Sequence, residues 1–347
     1  MMRAPRFWFS DPDRPGPWAR LLAPLGWLYA AGTARRLRQT GYVPRVPVIC
    51  IGNLVAGGAG KTPTTLALAE RLTARGLSVH VVSRGFGGSL AGPVQVDPTR
   101  HSAAEVGDEP LVLSAMVPVW VARNRAAGVR AAEAAGASII LMDDGFQNPS
   151  VTAALSIVVV DASKGFGNGR CIPAGPLREP VPVGLARADL VLAIGDAASQ
   201  ERFAALWGRQ INVPLVRAEL APLATGMDWQ DSPVLAFAGI ADPDRFFATL
   251  RGLGAKVLRG EALQDHAPLS EALLRRLDSE ARAKGAQLVT TEKDAIRLPP
   301  VWRSKVLTLV VRLRFENWVP LDTALAQLRW SSGSHESSIA AKTDLKA

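Results

Sequence analysis

Lys61 and Thr62 close a glycine-rich run, Gly57-Gly58-Ala59-Gly60-Lys61-Thr62, that follows the apolar stretch Val46-Pro47-Val48-Ile49-Cys50-Ile51. Glycines let a backbone curl until several N–H groups face one anion. A lysine at the end reaches a nucleotide's outer phosphates, and the neighbouring hydroxyl can bind Mg²⁺. A helix expected over 63–75 adds the positive end of its dipole. The chemistry is phosphate binding. Val55, Ala56, Gly57, Gly58, Ala59, Gly60, Lys61 and Thr62 form the expected nucleotide loop, with Thr62 also a metal ligand. One position departs from the usual spacing: where a glycine is expected there is Val55, and the nearest upstream glycine is Gly52.

Further acids and cations fall at the ends of predicted strands. Asp143-Asp144 end an apolar run, where a carboxylate associated with Mg²⁺ belongs; a strand-ending cap of the next turn is the plainer alternative. Asp108, in Gly107-Asp108-Glu109-Pro110, has two readings: a base that accepts a hydroxyl proton during phosphoryl transfer, or the N-cap of the helix that follows. His266 is similarly divided between a structural role and partnership with a catalytic carboxylate. Arg178 lies in a proline-stiffened loop, Gly175-Pro176-Leu177-Arg178-Glu179-Pro180, and is either held for a phosphate or simply exposed. Ser83-Arg84-Gly85 follows another strand end. Thr290-Thr291-Glu292-Lys293-Asp294 is either an ion-paired corner or a substrate contact.

These residues need a scaffold that gathers strand ends. Strands are expected over 47–51, 78–82, 94–96, 118–121, 138–142, 156–160 and 190–194, with helices between several of them. Continuous apolar strands suit a parallel sheet covered on both faces. The fold class is α/β, a P-loop, doubly wound, mostly parallel sheet with ligands at the carboxyl ends of its strands. At 347 residues the chain has room for two domains. A kinase-type core is expected over 46–220, a linker over 219–233, a smaller α/β domain over 233–330 and a disordered tail over 331–347. Two distant cysteines and four scattered histidines give no zinc site.

Residues 1–45 form a basic, apolar arm. Eight arginines against two aspartates up to residue 46 supply +6 of the net +9. Between Trp18 and Ala34 the arm is almost wholly apolar, yet short of the ~20 residues that span a bilayer. It reads as an amphipathic or shallowly inserted helix on an anionic membrane surface; a helix packed on the protein's own body is the alternative. Nucleic acid is not expected, because the aromatics lie within an apolar run.

Taken together, Gly52-Asn53-Leu54 with the glycine loop, Ser83-Arg84-Gly85, Gly107-Asp108-Glu109-Pro110, Asp143-Asp144-Gly145-Phe146-Gln147 and Gly175-Pro176-Leu177-Arg178-Glu179 resemble the tetraacyldisaccharide 4′-kinase family. Phe237-Ala238-Gly239-Ile240, Asp265-His266 and Thr291-Glu292-Lys293-Asp294 extend the resemblance into the second domain. It spans about residues 10–330 and makes Gly52 a family trait. It implies transfer of the γ-phosphate of ATP to the 4′-hydroxyl of a tetraacylated glucosamine disaccharide 1-phosphate, giving the lipid A precursor lipid IVA. The setting implied is the cytoplasmic face of a Gram-negative inner membrane, with the acylated disaccharide and the lipid surface as partners and no obligate protein partner. By position, Asp108 is the implied general base with His266 as its partner, and Lys61 and Thr62 handle phosphate and Mg²⁺. Asp143, Asp144 and Gln147 fall in the metal and phosphate shell, with Glu109 and Arg178 nearby. Asn148 and Ala267 stand where the family usually has histidine. The other class open to the sequence is a membrane-recruited P-loop ATPase or GTPase switch acting on a protein partner. Against it, the loop lacks the extra signature lysine of partition-type ATPases, and no Asn-Lys-x-Asp run is present.

Overall fold

The run Val48-Ile49-Cys50-Ile51-Gly52 forms strand β1 (Val48–Gly52), buried along its whole length. Branched apolar side chains on both faces demand cover on both faces, and the chain supplies it by alternating strands with helices. The computed structural model describes residues 4–264 and 268–328. In it follow β2 (Val79–Ser83), β3 (Val94–Gln95), β4 (Val119–Val121), β5 (Ile139–Asp143), β6 (Leu155–Asp161), β7 (Leu190–Ile194) and β8 (Leu215–Pro222). Then come β9 (Pro233–Ala238), β10 (Lys256–Ala262), β11 (Gln287–Thr291), β12 (Val306–Leu309) and β13 (Val311–Phe315).

Nine of these strands make one sheet in the order β13-β8-β7-β6-β1-β5-β2-β4-β3. The seven from β8 to β4 run parallel, and short antiparallel strands close both edges. Strand β1 pairs with β5 on one side and β6 on the other, so strand order reverses at its end. That reversal opens the crevice in which ligands of such sheets bind. The expected α/β, mostly parallel, doubly wound core is what forms.

A second sheet, β10-β9-β11-β12, is wholly parallel. Its chain order differs from expectation at both ends. The segment expected as a linker over 219–233 begins inside β8, and the unit expected to reach residue 330 ends at Leu309. From Val311 the chain returns to the large sheet, where β13 pairs antiparallel with β8. The helix Val319–Ala326 then buries Leu321 and Leu325 in the first core. Arg71 grips Asp322 through two hydrogen bonds and Arg75 adds a third at 2.6 Å. The smaller unit is thus an insertion between two paired strands. The tail expected to be disordered, 331–347, lies outside the described residues.

The arm folds as a 3₁₀ turn (Arg6–Phe9) and two helices, Pro17–Leu21 and Ala23–Leu37. The alternative reading, packing on the protein's own body, is realised on one side. Its small residues Ala19, Ala23, Gly26 and Thr33 are buried. A side chain at Gly26 would come within 2.9 Å of the Cys171 carbonyl, so the helix lies tight on the core. Its large residues point away: Trp18, Leu21, Trp27 and Leu28 are 62–71% exposed. No helix among the described residues is long and apolar enough to cross a membrane.

Candidate active site

Gly52 stops β1 where the next turn must come close. A Cβ there would sit 2.3 Å from the Phe146 Cβ. Gly52 therefore serves the approach of the Asp143–Gln147 turn, which explains a glycine at 52 with Val55 in the loop. Gly57 (φ 115°) and Gly60 (φ 90°) adopt the left-handed conformations that a phosphate loop demands. Gly60 precedes the helix Lys61–Thr73, so Lys61 and Thr62 form its first turn. Among the described residues, the N–H groups of Gly57, Gly58, Ala59 and Gly60 make no intramolecular hydrogen bond.

The start of the loop is committed differently. Ala56 donates its N–H to the Pro176 carbonyl at 2.8 Å, and Val55 bridges Leu177 in antiparallel fashion. Both were expected among the nucleotide-binding residues. Their backbone ties the loop to residues 175–178. The tie has a benefit: Arg178 donates its N–H to the Leu54 carbonyl, and its side chain is carried into the site.

Asp143 ends β5 opposite Ile51 of β1. The next residue, Asp144, has φ 52°, an uncommon conformation that Asp tolerates and that turns the chain sharply. The two acids then have different surroundings. Asp144 meets Lys61 Nζ at 3.6 Å and Arg178 Nη1 at 3.1 Å. Burial pushes its carboxyl up, but Lys61 and Arg178 outweigh burial and hold it below the usual range. Asp143 is buried and its Oδ1 has no hydrogen-bond partner. Burial pushes its carboxyl up to about 6 against the pull of Lys61, with Asp144 and Glu109 pushing the same way as burial. An orphaned, buried carboxylate oxygen beside a phosphate loop fits a cation ligand. Among the described residues no three acids, histidines or cysteines cluster as a metal site.

Behind this front lies a polar network that the spacing of residues does not disclose. Gln147 donates to the Asn53 carbonyl at 2.9 Å and to Glu179 at 3.0 Å, and accepts from Arg178 at 3.3 Å. Asn53, fully buried, donates to the Val55 and Gly57 carbonyls. Arg187 clamps the buried Glu179 with two bonds of 2.7 Å. Buried Arg125 donates to the Asp143 carbonyl at 3.3 Å. Arg125 opens a helix with no motif of its own, and Arg187 lies in the turn just after the helix Val181–Leu185. Gln147 thus links the Asp143–Gln147 turn to Asn53, Arg178 and Glu179.

Asp108 and Glu109 open the helix Asp108–Ser114. The cap position is Gly107, one residue before Asp108, and it has no side chain to cap with. The alternative reading of Asp108 as an N-cap therefore falls. Its carboxylate is buried and faces Arg297 of the second unit at 3.7 Å, while Glu109 meets Lys293 at 3.5 Å. His266 lies outside the described residues. The corner at 290–294 is the ion-paired one of its two readings: Asp294 is internal and pairs with Arg297, and Lys293 reaches across to Glu109 of the core. Both thiols are free, and burial pushes Cys50 up to about 12 and Cys171 to about 11, which suits neither to nucleophilic work.

The family model described as tetraacyldisaccharide-1-P 4′-kinase matches residues 18–328. The tetraacyldisaccharide 4′-kinase of Dinoroseobacter shibae is 59% identical over 94% of this chain and 98% of its own. That of Rhodospirillum centenum is 49% identical over 96% of this chain and 99% of its own. The crystal structure of LpxK from Aquifex aeolicus in complex with ATP superposes with a TM-score of 0.75 at 25% identity, over 89% of this chain and 99% of that one. A matched family model spanning both units, with relatives alike end to end, leaves one conclusion: the chain belongs to the tetraacyldisaccharide-1-phosphate 4′-kinase family of ATP-dependent kinases.

Proposed function

We propose that the chain transfers the γ-phosphate of ATP to the 4′-hydroxyl of a tetraacylated glucosamine disaccharide 1-phosphate, forming the lipid A precursor lipid IVA. The observation that carries this reading is the match of one family model across both units, 18–328, including every motif-bearing strand end. Lys61 would meet the outer phosphates from the first turn of its helix, with the free N–H groups of 57–60 around them. Arg178, anchored by Asp144, would face the same charge. Asp108 would accept the proton of the attacking hydroxyl: it is a buried acid in the first turn of its helix. Phosphoryl transfer is mostly positioning and charge neutralisation, and this site is built of both. Asp143 and Thr62 are the residues that would hold Mg²⁺. The ion would supply neutralisation of the phosphate oxygens.

The exposed stripe on the arm would rest on an anionic membrane surface, placing the cleft beside its lipid substrate at the cytoplasmic face of the inner membrane. Trp18 and Leu21 on the first helix and Leu25 and Leu28 on the second are exposed, as are Arg20, Arg35 and Arg36. Product analysis tests the chemistry. Phosphorus–proton correlation NMR of the reacted lipid should show a new phosphate ester at the 4′ carbon. An ester elsewhere on the sugar, or no lipid product, would refute it.

A further inference from the structure

Arg297 belongs to none of the motifs, yet it is the second unit's contact with the residue read as the base. Its Nε lies 3.7 Å from Asp108 Oδ2, and both side chains are more than nine-tenths buried. The guanidinium is held from behind. Arg297 Nη2 pairs with Asp294 and also donates to the Gly239 carbonyl at 3.3 Å. Asp294 is itself immobilised: it is fully buried, accepts the Gly239 N–H on both oxygens at 3.1 Å, and accepts Thr291 Oγ1 at 2.6 Å. Gly239 has no room for more, since a Cβ there would meet Asp294 Oδ1 at 3.0 Å and Arg297 Nη2 at 3.1 Å. One helical turn earlier, Lys293 pairs with Glu109 on the same side.

A guanidinium so fixed has little freedom to shift toward its partner. The partner must come to it. We propose that Arg297 is a positioning residue for the transfer reaction: anchored on Asp294 and Gly239, it sets where the Asp108 carboxylate stands and so ties the base to the second unit. The proposal rests on Asp108 being the base. A misplacement of about 1 Å in a reacting group can cost on the order of 100-fold. Loss of the arginine is therefore felt in kcat, with ATP and lipid binding intact.

The test is a double-mutant cycle on the full chain, read as kcat and KM for both substrates under single- and multiple-turnover conditions. Arg297→Lys and Arg297→Gln are each made alone and with Asp108→Asn. Expected are kcat values falling in the order wild type, Lys, Gln, about tenfold or more for Gln, with both KM values within about twofold. In the Asp108→Asn background the same changes should move kcat by less than about twofold, because the carboxylate they act through is gone. Unchanged kcat in Arg297→Gln, a loss expressed in KM, or an equal loss in both backgrounds would overturn the proposal. Should Arg297→Gln lack a cooperative melt, Arg297→Lys carries the test by the same criteria. Failure of the base reading shows separately, as an Asp108→Asn enzyme that keeps its kcat.

Discussion

At the residue scale, the site separates acids that look alike in sequence. Asp143 and Asp144 are adjacent and both were read as metal ligands, but among the described residues only the Asp144 carboxylate forms ion pairs, with Lys61 and Arg178. Asp143 has burial and an orphaned oxygen. This gives a prediction with a defined sign. The Asp143 carboxyl is raised from its ordinary 3.8 to about 6, so the folded protein prefers it protonated. Its ionisation costs the fold nothing below about pH 4 and most above about pH 6, up to about 3 kcal/mol. In chelator-treated protein, Asp143→Asn should raise Tm at pH 7.5 and leave it unchanged near pH 4. A Tm gain of equal size at both pH values would show that burial of the charge is not the cause. Sequence could place the two acids at a strand end. It could not rank them, because the ranking depends on Arg178, 34 residues later and brought in by a backbone bridge to the nucleotide loop.

At the element scale, β1, β5 and the two turns that follow them work as one piece. Gly52 lets the Phe146 turn pack on the end of β1, and Asn53 and Gln147 stitch the two together. Gly52→Ala has no backbone strain to blame, yet its methyl would overlap Phe146. Overpacking of this kind costs about 1–3 kcal/mol. A lower Tm together with weaker ATP binding in titration calorimetry is the expected result; loss of stability with ATP affinity intact would mean that the turn can shift without disturbing the loop. The parallel core was legible because Ile139-Ile140-Leu141-Met142 and its counterparts are apolar on both faces. The return strand was not. Residues 306–315, Val-Leu-Thr-Leu-Val-Val-Arg-Leu-Arg-Phe, carry no glycine or proline, yet the chain passes from β12 in one sheet to β13 in the other across Val310 alone. Likewise Pro222 ends an edge-side strand where it was read as part of a linker.

At the scale of the whole molecule, an inserted α/β unit meets the core at Asp108–Arg297 and Glu109–Lys293, while the arm lies on the core by its small residues and leaves the large ones free. The arm's composition announced an interface but not which residues would face the core, since Ala, Gly and Thr carry no strong pattern. Changing Trp18, Leu21 and Leu28 together to serine removes several kcal/mol of transferable apolar surface, on the order of 2 kcal/mol for each large side chain. Binding to anionic phosphatidylglycerol vesicles in flotation assays should fall more than tenfold, with Tm unchanged because these side chains are largely exposed. Equal flotation would remove the arm as the membrane contact. The central claim is that the nucleotide loop delivers phosphate to a lipid. The most direct measurement follows the label from γ-labelled ATP, with and without detergent-dispersed tetraacyldisaccharide 1-phosphate. The predicted result is label in the lipid, formed only when the lipid is present and reduced about 100-fold or more in Lys61→Ala, whose loop lacks its fixed cation. Label released as free phosphate at the same rate without lipid, or a Lys61→Ala enzyme as fast as wild type, would contradict it.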